Sequence, residues 1–491
     1  MLRQTRRQFL QHAAAGGLAA TFAIAGTKAS GKIIGANDRI RLGVAGINGR
    51  GVSHLDAFAA MKDVEIIYLI DPDKRIHGSR GQRVQDKAGN TPQCVQDIRQ
   101  ALEDKNLDAV SVATCNHWHA LITFWACQAG KDVYVEKPCS HNVFEGRQCV
   151  KIARQKGCIV QHGTQSRGEG QWIRTVAAIA SGKYGQLLVA KAYASKPRWS
   201  IGFKETKEPP KELDFNLWLG PAPQQPYHEN IVHYNWHWFW DFGNGEIGNQ
   251  GVHQMDIARW GIPGATLPTS VISMGGRWVE STADKPPYTD QGQTPNMQIT
   301  VFDFGQTLLV YEVLGLCGRS AVGGTPFPAK VDNEFYLEAG RISGGKFYPK
   351  GSDQGETLPD VETNKAAGDV FRNFINCMRS RNHEQLHADI LDAHYSAALC
   401  HLGNIAYRLG KQVPGNSAAA GFPSNPHVQE SLEKLRANLK QAVGLDLDTA
   451  NYQLGAKLDF DPATERFVGN EAANALLTRP YREPFVVTEV A

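Results

Sequence analysis

The segment Gly46-Ile47-Asn48-Gly49-Arg50-Gly51 follows a β-rich run, Arg39–Ala45, and precedes a stretch from Val52 to Met61 whose spacing predicts a helix. Such a loop lets backbone N–H groups at a helix N-terminus meet a pyrophosphate. Against the pattern G-x-G-x-x-G, Gly46 and Gly51 match and Asn48 takes the middle position, with Gly49 adding slack beside it. Asn tolerates left-handed backbone better than most residues. Asp71 ends a second predicted strand, Val64–Ile70, and stands 20 residues after Gly51. A carboxylate there would accept hydrogen bonds from ribose hydroxyls and repel a 2′-phosphate. Together these residues predict a dinucleotide site, with NAD favoured over NADP although Lys74 and Arg75 lie close by.

Two further strand ends carry polar residues. Leu107–Thr114 runs into Cys115-Asn116-His117-Trp118-His119, ahead of helical spacing from Ala120 to Gly130. Asp132–Val135 runs into Glu136-Lys137-Pro138. Ligands of open α/β sheets bind beyond the carboxyl ends of the strands. Asn116, His119, Glu136 and Lys137 therefore join Gly46, Asn48, Gly49, Arg50, Gly51 and Asp71 as expected cofactor contacts. Farther along, alternating patterns at Val271–Met274, Gln298–Phe304 and Thr307–Leu314 predict strands of a second sheet.

The glycine loop, Asp71, Asn116–His119 and Glu136-Lys137-Pro138 resemble the Gfo/Idh/MocA oxidoreductases. The resemblance continues through Gln161–Arg167, Trp218–Pro223, Asp241–Trp260 and the helix-like Asp369–Leu409. It implies an α/β protein: an N-terminal Rossmann NAD-binding domain, then an α/β domain with a large, mostly antiparallel open sheet that forms the substrate pocket. The implied limits are 36–158 and 159–413, with 414–491 as an extension packed on the body. The family places D-x-x-x-H on a helix facing the nicotinamide; here Asn249 stands at the Asp and His253 at the His. A helix would put these two on one face. The resemblance makes His253 the group that takes the hydroxyl proton and Lys137 the donor to that hydroxyl. Asn249 can hold a hydroxyl but cannot relay a proton. Arg167 and Trp238 complete the expected substrate contacts with Lys137, Asn249 and His253.

Other features bound the function. The net charge is +3, and Arg3, Arg6, Arg7 and Lys28 all fall in a first segment without acids, which leaves 48 basic and 49 acidic residues elsewhere. That balance points to no nucleic-acid or anionic-membrane partner. Nine cysteines without a C-x-x-C pair suggest buried thiols. His117, His119 and His237 lack a second ligand pair, so no metal centre is expected. The aromatic stretch Tyr234–Phe242 suits either a sugar platform or domain packing. Residues 1–30 resemble a twin-arginine signal: Arg6-Arg7, Phe9 and Leu10 precede an apolar run, Ala13–Gly26, and the small residues Ala23 and Ala25. Export toward the periplasm is expected, with no stable membrane span after cleavage.

The expected activity is hydride transfer between tightly bound NAD(H) and a hydroxyl carbon of a sugar, polyol or sugar derivative, in a homo-oligomer. The alternatives are an exported glycoside hydrolase or lyase that recycles its NAD, and a non-catalytic sugar-binding protein.

Overall fold

In the computed structural model residues 38–280, 289–414, 421–448 and 450–490 are described, so the expected signal at 1–30 lies outside the described residues. Six strands build the first sheet: β1 (Ile40–Ala45), β2 (Val64–Ile70), β3 (Gln93–Val95), β4 (Ala109–Val112), β5 (Asp132–Val135) and β6 (Val160–His162). They are parallel, in the order β3-β2-β1-β4-β5-β6. The order reverses between β1 and β4, which opens a crevice beyond their carboxyl ends. Both faces are covered, so β4 and β5 are buried at every residue and are apolar apart from Ser111 and Asp132. One covering helix comes from far along the chain. Val370–Ser380 packs Phe371 and Phe374 against Phe58 and Tyr134, with the Tyr134 and Phe371 rings stacked 4.8 Å apart.

Helix starts differ from the sequence-based expectation. The helix after the glycine loop begins at Gly49 rather than Val52, and the helix after β4 begins at Asn116 rather than Ala120. Early helical residues carry polar groups toward the crevice, so apolar periodicity starts a turn late. The expected helical stretch Asp369–Leu409 is two helices, Val370–Ser380 and Ile390–Arg408. Arg381, at φ 54°, ends the first of them.

The second sheet has twelve strands. They are β7 (Leu187–Ser195), β8 (Ser270–Gly276), β9 (Met297–Asp303), β10 (Leu308–Leu314), β11 (Lys330–Leu337), β12 (Gly340–Ser343), β13 (Lys346–Pro349), β14 (Glu356–Thr357), β15 (Lys411–Pro414), β16 (Asn451–Leu454), β17 (Leu458–Asp461) and β18 (Arg466–Phe467). The main order is β14-β13-β12-β11-β7-β10-β9-β8-β16-β15, with β17 also on β8 and β18 on β17. The β7–β10 pair is parallel and its neighbours are antiparallel. Phe302, Leu309, Tyr311 and Val313 pack toward the helices Val252–Trp260 and Ile390–Arg408. The sheet is open and mostly antiparallel, as expected. Its other face, with Ile272, Met274, Ile299, Val301 and Val310, lies under the helix Pro426–Val443. The segment after Pro414 thus covers this sheet and also extends it, through β16 and β17.

Candidate active site

A cavity of about 580 Å³ runs from the glycine loop to His253. At one end, Gly46 has φ +78°, and a Cβ there would come within 2.6 Å of the Ala113 backbone. A Cβ on Gly51 would fall 1.9 Å from the Gly46 carbonyl oxygen, so these two positions accept only glycine without rearrangement. Asn48 corrects the sequence-based reason for its presence. Its φ is −84°, in extended backbone at the helix N-cap, so no left-handed geometry is required of it. The Asn48 side chain makes no capping hydrogen bond to the helix, so the first-turn N–H groups lack intrahelical partners and are available to an anion. Gly46, Asn48, Gly49 and Arg50 line the cavity, while Gly51 acts through the tightness of the turn.

Asp71 lines the same end. Its carboxylate accepts from the Ile47 N–H at 3.1 Å and the Asp73 N–H at 3.0 Å, which fixes its orientation. Burial pushes its pKa up, against the pull of those two donors. Of the neighbouring cations, Arg75 is held by Asp73 and Arg80 donates to the Ile47 carbonyl at 2.9 Å. Asn116 and His119 also line the cavity; His119 sits between the carbonyls of Pro138 (2.7 Å) and Thr114 (3.0 Å).

At the end of β5, Glu136 accepts from Arg50 Nε at 2.8 Å and meets His54 Nε2 at 3.0 Å. Burial alone would raise this carboxyl, but His54, Arg50 and Lys137 hold it well below the usual range. Glu136 therefore ties the strand end to the glycine-loop helix. The next residue, Lys137, joins Pro138 through a cis peptide. Lys137 Nζ donates to the Asn249 carbonyl at 3.0 Å and stands 3.4 Å from Asn249 Oδ1. Asn249 Nδ2 in turn donates to Glu246 Oε2 at 3.1 Å, and Glu246 accepts Arg198 Nε at 2.6 Å and Nη2 at 2.8 Å.

Asn249 and His253 do not share one regular helix. Ile247–Gly251 forms a π-helical turn ahead of Val252–Trp260, a wider turn often found at functional sites. Asn249 is spent on Lys137 and Glu246 and is not among the cavity-lining residues, whereas His253 and Gln250 are. Burial, then the Lys137 charge, pushes the His253 pKa down to about 3. The imidazole is neutral at ordinary pH and competent to take a proton. Burial also lowers the Lys137 ammonium below its usual range, despite Glu136 and Glu246.

Two expected substrate residues lie elsewhere. Arg167 is buried in a fork with Asp256, at 2.8–3.1 Å, and stands 3.4 Å from Asp392. Its guanidinium is consumed by carboxylates and does not line the cavity. Trp238 is buried beneath the Arg198 guanidinium, 5.3 Å from its ring centre, and serves packing. Tyr234, Trp236 and His237 of the same stretch do line the cavity, so the aromatic segment divides between the two expected roles. Lys196 and Gln250 line the cavity in addition to the residues expected from the sequence. Lys196 follows β7 directly and donates to Gln250 Oε1 at 2.6 Å. Its place at the carboxyl end of a strand is the one sequence signal that marks it.

The comparisons with known proteins follow the same two-part layout. Residues 40–164 match the model for the oxidoreductase family, NAD-binding Rossmann fold, and residues 189–271 match that family's C-terminal α/β domain. A "Glycosyl hydrolase family 109 protein" of Shewanella pealeana is 28% identical over 185 residues, 36% of this chain and 40% of the relative. One from Shewanella sp. strain W3-18-1 is 27% identical over 171 residues, 33% of this chain and 37% of the relative. The chain thus spans about two fifths of the length of these curated relatives. Among solved structures, the WlbA dehydrogenase of Bordetella pertussis, with NADH and UDP-GlcNAcA, superposes with a TM-score of 0.51 at 17% identity, over 74% of this chain and 94% of that one. Levoglucosan dehydrogenase with NADH gives 0.52 at 16% identity, over 74% of this chain and 96% of that one. These likenesses establish the fold. Both parts of the Gfo/Idh/MocA oxidoreductase pattern, the NAD-binding Rossmann fold and the C-terminal α/β domain, thus occur here in order, and they support placing the chain in that family.

Proposed function

We propose that this chain is an NAD(H)-dependent oxidoreductase that transfers a hydride between nicotinamide and a hydroxyl-bearing carbon of a sugar, polyol or sugar derivative. The observation that carries this is one continuous cavity, with the tight glycine turn at one end and Lys137 and His253 at the other. The residues present fit a dinucleotide: the glycine turn leaves room that a Cβ would fill, and Asp71 is aimed for ribose hydroxyls. When bound, the dinucleotide would supply the hydride acceptor or donor. Gly46, Asn48, Gly49, Arg50, Asp71, Asn116 and His119 would hold it. Lys137 holds the substrate hydroxyl and stabilises negative charge growing on its oxygen. His253, kept neutral, accepts the hydroxyl proton. Asn249 and Glu246 position the Lys137 ammonium from behind.

NAD is favoured over NADP because Asp71 would face the 2′ position while Arg75 is already paired with Asp73. A second reading, cleavage of a glycoside without net redox change, is favoured by the family 109 relatives. The Arg6-Arg7 signal, residues 1–30, supports export with NAD carried tightly inside the fold. Among the described residues no further strand pairs with β14 or β15 at the ends of the second sheet, which supports a homo-oligomer.

The test begins with protein from the exported fraction, desalted, denatured and assayed for released nucleotide. Near-stoichiometric NAD(H) supports a retained cofactor, and no dinucleotide binding at all would refute the oxidoreductase reading. Turnover of a sugar panel with growth of 340 nm absorbance supports net oxidation. Release of p-nitrophenol from p-nitrophenyl glycosides with no net absorbance change at 340 nm would select the glycosidase instead. Arg6→Lys with Arg7→Lys should keep the protein in the cytoplasm.

A further inference from the structure

We infer that the cavity carries a carboxylate-binding subsite at Lys196, so that the substrate is an acidic sugar of the uronate or aldonate type; this rests on the oxidoreductase reading above. Lys196 lies directly after β7 and lines the cavity close to Lys137, Gln250 and His253. Its ammonium donates to one neutral partner, Gln250 Oε1 at 2.6 Å, and Gln250 is itself held by Gln254 Oε1 at 2.9 Å. An ammonium has three donors, so this pair leaves capacity facing the cavity.

The charges around it do not balance. Among the described residues three acids line the cavity: Asp71, Asp97 and Glu136. Asp71 and Asp97 stand with Pro72 and Gln96 at the adenosine end, and Glu136 is engaged by Arg50 and His54. Glu246, behind Lys137, is committed to Arg198. The substrate end therefore presents two ammonium groups and no free carboxylate among the described residues. Burial depresses Lys137, and the charges of Arg50 and Lys196 act in the same direction. Two like charges on the wall of a partly buried cavity are unfavourable until an anion enters. Lys137 is required at the reacting hydroxyl, whereas Lys196 has no part in that step. A carboxylate elsewhere on the sugar gives Lys196 its partner and fixes which hydroxyl meets Lys137. One ammonium beside a neutral amide suits a monoanion; a phosphate dianion is more often met by an arginine fork.

The test uses the full chain loaded with NADH and matched pairs of probes: D-glucuronate against D-glucose, D-galacturonate against D-galactose, and D-gluconate against D-glucitol. Binding is read by calorimetry and by NADH fluorescence, in wild type, Lys196→Met and Lys196→Arg. The acidic member of at least one pair should bind about tenfold or more tightly than its neutral partner, with Lys196→Met removing the difference and Lys196→Arg restoring most of it. NADH titration shows that each variant has folded. Equal or tighter binding of all the neutral members, preference for D-glucose 6-phosphate over D-glucuronate, or an acid preference that survives Lys196→Met would each overturn the subsite. Failure of the wild type to bind NADH would instead sink the oxidoreductase reading on which it rests.

Discussion

A histidine pushed down to about 3 is always ready as a base and never strongly basic. His253 stays neutral far below the usual histidine range, so protonating it requires strongly acidic solution. Lys137 is shifted in the same direction from 10.5 and gives up its proton earlier than a free lysine as pH rises. The profile of kcat/KM should therefore carry no acid limb in the usual histidine range and should fall on the alkaline side, at a lower pH than a free lysine would set. An acid limb near 6.5 in a pH–rate series would contradict the environment described for His253. His253→Ala should lower kcat by about 10²–10⁴-fold while NADH binding, followed by fluorescence, is retained. Asn249 makes a different prediction. Its amide donates to the buried Glu246, whose pKa burial already raises. Asn249→Asp would remove that donor and oppose two carboxylates, at a cost of about 1–3 kcal/mol near neutral pH. A raised carboxyl pKa in the folded state means that stability returns as pH falls and one of the pair protonates. Melting temperatures measured between pH 8 and 5 should show the gap to wild type narrowing with acidity.

At the scale of elements, the glycine loop separates positions fixed by packing from positions left free. A Cβ at Gly51 meets the Gly46 carbonyl, while one at Gly49 meets nothing within 4 Å. Gly51→Ala should therefore lower both the melting temperature and NADH affinity, whereas Gly49→Ala should leave stability unchanged or raise it by up to about 1 kcal/mol. Thermal melts of the two variants side by side check this. The loop, Asp71 and the Glu136-Lys137-Pro138 strand end were legible in the sequence because strand, turn and helix are contiguous there. The π turn at Ile247–Gly251 was not, since its apolar spacing imitates an ordinary helix. Arg167 also misled: Asp256 and Asp392, which consume it, lie far along the chain and nothing local announces them. Lys196 is hidden for a related reason: it follows β7, a strand of the mixed second sheet, where the carboxyl-end rule for parallel sheets is a weak guide.

The whole molecule is closed by its own C-terminus, which periodicity alone could not reveal. The helix Pro426–Val443 shields the apolar face of β8, β9 and β10, so that face is not available for self-association. Beyond it the chain returns to the first domain, where Phe485, Val487 and Val490 pack on the nucleotide-binding core. On the way, Arg482 donates to the carbonyls of Gly220 at 2.9 Å, Ala222 at 3.2 Å and Asn216 at 2.8 Å, and to Asn216 Oδ1 at 2.6 Å. That segment carries Leu217 and Trp218, which line the cavity. The carbonyl of Trp218 also accepts from the Trp118 indole at 3.0 Å, so one loop is held from both the Rossmann helix and the tail. Arg482 is thus a positioning residue, and removing it leaves three carbonyls to solvent rather than an empty core. Arg482→Ala should lower stability by only about 1–2 kcal/mol, because the carbonyls it frees can be solvated. It should raise KM more than it lowers kcat, since the chemistry at Lys137 and His253 is untouched while a loop lining the same cavity loosens. Arg482→Lys, able to reach one carbonyl but not to span several, should fall between wild type and Arg482→Ala. Steady-state kinetics on any accepted sugar separate the two parameters, and a loss confined to kcat would place Arg482 in some other role.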